Sequence, residues 1–154
     1  MNDQEQRIKN LEDLMQEHTH NELDGTTGLK KLIFVTVNLP STQPQTAANF
    51  GIFFTATRPC YVKAISEKHT VAGNDSGAVT LNIERLQGTT ALDSGTELLR
   101  TPFNLKGTAY TTQRGVMNRI KTTSSLNIGD SLALKDVGTL TTLQGVQVTL
   151  EIQT

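Results

Sequence analysis

Between residues 146 and 152 every second side chain is a branched aliphatic, with Val146, Val148, Leu150 and Ile152 alternating with Gln147, Thr149 and Glu151. A repeat of two puts one set on each face of an extended chain, so this segment is a strand with one dry and one wet face. The same period returns in Ile33, Val35, Val37 and Leu39, which stop at Pro40, and in Val79, Leu81 and Ile83. Residues 50–56 form a further apolar run bounded by Pro59, and residues 60–68 form another strand candidate. Residues 111–120 are a less regular strand candidate. Residues 126–134 hold two alternating pairs around Gly129-Asp130. Turn chemistry separates these runs, most clearly in Gly73-Asn74-Asp75-Ser76-Gly77 and Asp93-Ser94-Gly95. About eight strands with no helical period between them predict an all-β fold, an antiparallel sandwich of jelly-roll type. The strand at residues 145–153 is expected inside a sheet or at a subunit seam, because an exposed edge that regular invites aggregation.

The chain has 154 residues, room for one ordinary core and a small appendage. Its 14 Lys and Arg against 15 Asp and Glu give a net charge of -1, so no bulk attraction to nucleic acid or anionic membrane is expected. The apolar run at residues 32–39 is too short to cross a bilayer and is interrupted by Thr36 and Asn38, so membrane insertion is not expected. The polar, acidic start of the chain lacks the basic-then-apolar pattern of a secretory signal, which predicts synthesis in a cytoplasm without ordinary export. The single Cys60 has no intrachain disulfide partner and reads as a buried structural thiol.

Residues 3–17 have a different character. They are rich in Gln, Glu, Lys, Leu and Met, contain neither Gly nor Pro, and predict a helix. Ile8 at a heptad a position puts Leu11 at d, Met15 at the next a and His18 at the next d, with Leu14 on the flanking g position. A helix of about 16 residues spans about 25 Å and is marginal alone in water, so its apolar stripe needs cover. That cover is either the globular part of the chain or the same helix from other copies; the polar run at residues 21–28 favours projection over folding back. The expected organisation is a coiled-coil attachment helix over residues 1–20, a linker over 21–29, and a β-sandwich domain over 30–154.

His18-Thr19-His20 sits where the coil should end. With His18 at d, imidazoles from several copies meet on the axis, and His20 joins them if the chain turns inward, giving nitrogen donors suited to a divalent transition metal. The alternative is a solvated histidine pair favoured by the helix dipole. The block from Ile8 through His18-Thr19-His20-Asn21 to Asp24-Gly25 resembles the His-X-His-Asn joints of tailed-bacteriophage fibres, with Glu22 where those joints commonly carry Gly. The later segments are similar in style to the small trimeric β-sandwiches that such phages carry as head fibres, capsid decorations or tail-fibre tips. The resemblance implies a homotrimer joined through Ile8, Leu11, Leu14, Met15 and His18, with iron or another transition metal held on the axis by His18 and His20.

Catalytic constellations are hard to find. His69 has no partner in a nucleophile elbow and reads as a surface residue. Asp75, Asp93 and Asp130 each precede Ser and are expected to cap nearby backbone amides. Arg58, Arg85, Arg100, Arg114 and Arg119 read as solvated sheet-face or interface charges. The expected function is therefore that of a non-enzymatic structural protein on a virion surface, a trimeric head fibre or capsid decoration whose partners are its own copies and the capsid or tail. The alternative is a tail-fibre or receptor-binding tip for a host surface glycan.

Overall fold

The computed structural model describes residues 31–39 and 51–154. The proposed coil, its Ile8, Leu11, Leu14, Met15, His18 and His20, and the linker lie outside the described residues. Residues 32–154 form a compact unit. Its elements in chain order are β1 (Leu32–Leu39), β2 (Ile52–Thr55), β3 (Cys60–Lys68), β4 (Thr80–Leu86), β5 (Thr96–Glu97), β6 (Leu99–Thr101), β7 (Phe103–Asn104), β8 (Gln113–Arg114), β9 (Val116–Met117), the single turn α1 (Lys121–Ser124), β10 (Ser125–Leu126), β11 (Ser131–Val137) and β12 (Val146–Gln153). The described residues form an all-β fold apart from that turn, and all strand pairings among them are antiparallel.

One sheet has the order β1-β12-β3-β10, with β8 also on β3; a second has the order β2-β11-β4-β5, with β7 also on β4. A short ribbon pairs β6 with β9. β1 and β3 belong to the first sheet while β2 and β4 belong to the second, so each early connection crosses between sheets. The last connection does the same, from β11 to β12. Val62, Ile65, Val148, Leu150 and Ile152 of the first sheet join Leu81, Ile83, Leu132 and Leu134 of the second in one core.

β12 lies in the middle of its sheet, between β1 and β3. Its burial alternates as its sequence does, with Val148, Leu150 and Ile152 fully enclosed. Each such side chain contributes about 1.5–3 kcal/mol relative to exposure. β3 breaks the simple alternation. Opposite β12, Glu151 pairs with Ala64 and Ile152 with Val62, leaving Lys63 as an extra residue in a bulge. The bulge turns Val62 and Ile65, three residues apart, onto the same inner face. From Ile65 the inward parity continues through Glu67 to His69, and both of these are buried.

In β4 the burial is continuous from Leu81 to Glu84. The outward residues Asn82 and Glu84 are roofed by the chain that returns from β4, so this sheet is dry on both faces here. Gly95 is the point of closest approach. A Cβ there would stand 2.6 Å from the Arg85 carbonyl and 2.8 Å from a Glu84 carboxylate oxygen, which leaves no room for any side chain.

Candidate functional site

Among the described residues, the polar side chains of Glu67, His69, Asn82 and Glu84 are buried, and each can be followed to its partners. His69 is not the surface residue expected from its neighbours; it is 0% exposed, because the bulge at Lys63 sets its parity inward. Its Nδ1 lies 2.8 Å from Glu67 Oε1, and its Nε2 lies 3.1 Å from the Gly107 carbonyl. A carbonyl only accepts, so Nε2 carries a hydrogen and donates it. Gln113 then donates through Nε2 to Glu67 Oε2 and to the Asn104 carbonyl, each at 2.8 Å, and accepts at Oε1 from the Asn104 amide. Burial pushes the Glu67 carboxyl above its ordinary range, partly offset by its bond to His69, the His69 charge and the bond from Gln113.

A carboxylate behind an imidazole is the orienting half of a hydrolytic triad. Here the other ring nitrogen is occupied by a backbone carbonyl, and both side chains are sealed from solvent. The arrangement fastens β3 to the 104–107 turn and to β8. The Tyr110 amide adds a bond to the His69 carbonyl at 2.8 Å, which holds Tyr110 in the left-handed region at φ 61.

A second buried carboxylate works in the same way. Glu84 accepts from the amides of Asp93 and Gly95, both at 2.7 Å, and so closes the loop after β4. Beside it Asn82 accepts at Oδ1 from the amides of Ile83 and Leu99 and donates to the Leu99 carbonyl and Glu97, which is itself paired with Lys135 at 3.1 Å. Arg85, expected as a solvated sheet-face or interface charge, is half-buried, and its Nη1 donates to the carbonyls of Thr122 and Ser125. Asp130 caps the Asn127 amide at 3.0 Å, as its sequence context predicts. Asp75 instead accepts from Thr142, 67 residues away, and Asp93 offers its own amide to Glu84. Cys60 is buried, and desolvation followed by the charge of Asp130 pushes its thiol up, which disfavours the nucleophilic thiolate.

Two surfaces remain. The first is the β1 side of the sandwich: Ile33, Val35 and Val37 point at the core yet are only half-buried, and beyond β1 no strand pairs with it among the described residues. The second is the outer face of the same sheet. There the register sets Phe34 beside Glu151, Thr149 beside Ser66, and Ser66 beside Arg114. These side chains, with Thr112, border a groove of about 390 Å³ that crosses four strands. The alternation of β1 was legible in sequence, but the groove was not, because it depends on register between segments far apart in the chain.

Among the described residues no three His, Cys, Asp or Glu side chains gather as a metal site, and no helix is long and apolar enough to cross a membrane. No family model, no curated protein and no solved structure matches this chain.

Proposed function

We propose that this chain is a non-enzymatic, homotrimeric structural protein of a virion surface, a head fibre or capsid decoration in which an N-terminal coil gathers three jelly-roll sandwiches. The interleaved strand order β1-β12-β3-β10 and β2-β11-β4-β5 supports the jelly-roll assignment. The buried carboxylates support a structural role, since their lone pairs are spent on holding loops and strands together.

One observation carries the oligomer. Ile33, Val35 and Val37 continue the inward stripe of the first sheet, yet they stay half-exposed on a strand whose outer edge is unpaired among the described residues. The heptad stripe from Ile8 to Met15 precedes that strand by 16 residues, so a coil would keep the β1 strands of its copies within reach of one another. Completing the burial of three side chains in each of three copies contributes on the order of 9 kcal/mol, at about 1 kcal/mol each. Immobilising each partner costs about 4–15 kcal/mol, so neither edge nor coil suffices alone. The reading includes His18 and His20 at the base of the coil as donors for a transition metal on the axis.

The test is the mass of the full chain in solution by light scattering at micromolar concentration. The expected mass is three times the 16.8 kDa chain. Leu11→Asp with Met15→Asp, and separately Val35→Thr with Val37→Thr, should each shift the population toward monomer while the far-ultraviolet strand spectrum persists. A wild-type chain that stays at the monomer mass overturns the proposal.

A further inference from the structure

The groove on the outer face of the first sheet has a chemistry that the trimer does not require. Phe34 is 68% exposed, unusual for an aromatic ring at mid-strand, and it stands on one wall. Across three strand spacings, about 14 Å of backbone, stands Arg114. Between them lie the Glu151 carboxylate and the hydroxyls of Ser66 and Thr149, with Thr112 at the rim.

Neither Arg114 nor Glu151 makes a side-chain hydrogen bond or an ion pair among the described residues. Their donor and acceptor capacity faces the groove. Behind them the wall is rigid: at Gly115 a Cβ would stand 2.5 Å from the Leu99 side chain and 3.1 Å from the Ile65 carbonyl, so the backbone packs there without clearance.

We propose that this groove is a saccharide-binding site for one or two pyranose rings. An exposed ring face stacks against the apolar C–H face of a sugar, and a carboxylate and guanidinium divide the donors and acceptors of neighbouring hydroxyls between them. The hydroxyls of Ser66 and Thr112 act in either sense and so follow the sugar's own pattern, and Thr149, 3.4 Å from Thr36 Oγ1, keeps a lone pair for it. Charge selects the ligand class. One positive and one negative side chain leave the groove neutral, which favours a neutral polyol over a nucleic acid or a polyanion. Size limits it further, because about 390 Å³ lies near the lower bound of small-molecule pockets. The site belongs to the outer face of one sandwich and does not rest on the trimer or on the axial metal.

The experiment is saturation-transfer difference NMR on the full chain with the methyl glycosides of glucose, galactose, mannose and N-acetylglucosamine, and with N-acetylneuraminic acid as the anionic comparison. At least one neutral glycoside should receive saturation at its ring C–H protons, with an affinity in the millimolar range. Phe34→Ala should weaken that affinity by about tenfold or more, and Arg114→Ala should weaken it too. Val137→Ala trims an exposed apolar side chain on β11 of the second sheet, which does not line the groove, and should change nothing. Absence of transfer from all five sugars overturns the site, as does binding that survives Phe34→Ala. Binding confined to N-acetylneuraminic acid overturns the neutral-polyol assignment. A folded Phe34→Ala chain with reduced oligomer mass and no sugar signal in the parent would assign the ring to contacts between copies instead.

Discussion

Replacing His69 by Ala should be among the most damaging single changes in the sandwich. The imidazole supplies a donor to the Gly107 carbonyl at 3.1 Å and meets Glu67 Oε1 at 2.8 Å, with His69 0% and Glu67 1% exposed. Its removal orphans a buried carboxyl oxygen and a carbonyl and leaves a void the size of a ring. Breaking a buried pair from one side costs about 3–5 kcal/mol. Glu67→Gln is the informative contrast. Its amide nitrogen can donate to Nδ1 while its oxygen still accepts from Gln113 Nε2, so every partner is kept and the cost should stay below about 1 kcal/mol. Urea unfolding followed by circular dichroism, at one fixed chain concentration because association adds to stability, measures both. Equal losses in the two variants, or a loss below about 1 kcal/mol for His69→Ala, would refute the claim that this buried pair fastens the fold.

The pair also predicts a pH dependence. Burial raises the Glu67 carboxyl above its ordinary 4.5, so the folded chain holds that proton more tightly than the unfolded one. The resulting stabilisation is complete below the unfolded value and is lost as pH rises through the folded value. Wild type should therefore lose stability relative to Glu67→Gln as pH climbs above about 4.5. The opposite slope would mean that the carboxylate form is the favoured one.

The second buried carboxylate gives a parallel prediction: Glu84→Ala strips the acceptors from the Asp93 and Gly95 amides and should cost about 2 kcal/mol, visible as a lower urea midpoint. Elemental analysis of purified full-length protein should find one transition-metal atom per three chains, and the double change His18→Ala with His20→Ala should abolish it. Metal-free protein that is still trimeric would remove the metal and leave the sandwich assembly standing.

The strands with a strict period of two were legible before any coordinates. β12, β1 and β4 follow directly from their alternating aliphatics, and of the two places that the regularity of β12 allowed, inside a sheet or at a subunit seam, it takes the one inside the sheet. The two-residue strands β5 and β7 were not, because two residues carry no period, and the candidate at residues 111–120 proves to be two short strands, β8 and β9, on either side of Gly115. His69 was misread for a related reason. A bulge is invisible in a single strand, so the inward parity of Glu67 and His69 appears only once Lys63 is seen to be extra against β12. Glu84 and Asn82 occupy positions that alternation assigns to water, and only the fold-back of residues 93–99 makes them interior. Phe34 shows the same limit. Alternation sends it outward correctly, but its neighbours Glu151, Thr149 and Ser66 come from strands more than 30 residues away in sequence.

Topology also separates the two ends of the sandwich. β1 begins at Leu32 opposite Gln153, the last residue of β12, so the start of one strand and the finish of the other lie at the same end of the sheet. The connections at residues 69–79 and 138–145 lie at the other end, and they are bonded to each other. Asn74 donates its amide to Thr142 Oγ1 at 2.8 Å, Thr70 donates through both its amide and its hydroxyl to the Gln144 carbonyl, and Lys106 Nζ donates to the carbonyls of Asp75 and Gly77. Loops tied in this way should open together, not residue by residue. Thr142→Val keeps the shape and deletes only the hydroxyl. It removes the acceptor of the Asn74 amide and the donor to Asp75 Oδ2, a net loss of about 1 kcal/mol that should speed exchange of the Asn74 amide about fivefold. Amides of β12 should be unchanged, since global stability hardly moves when an exposed tip loosens. An unaltered Asn74 exchange rate would mean that this end is held by its backbone bonds alone, and the hydroxyl between the two loops would then have no part in keeping the tip rigid.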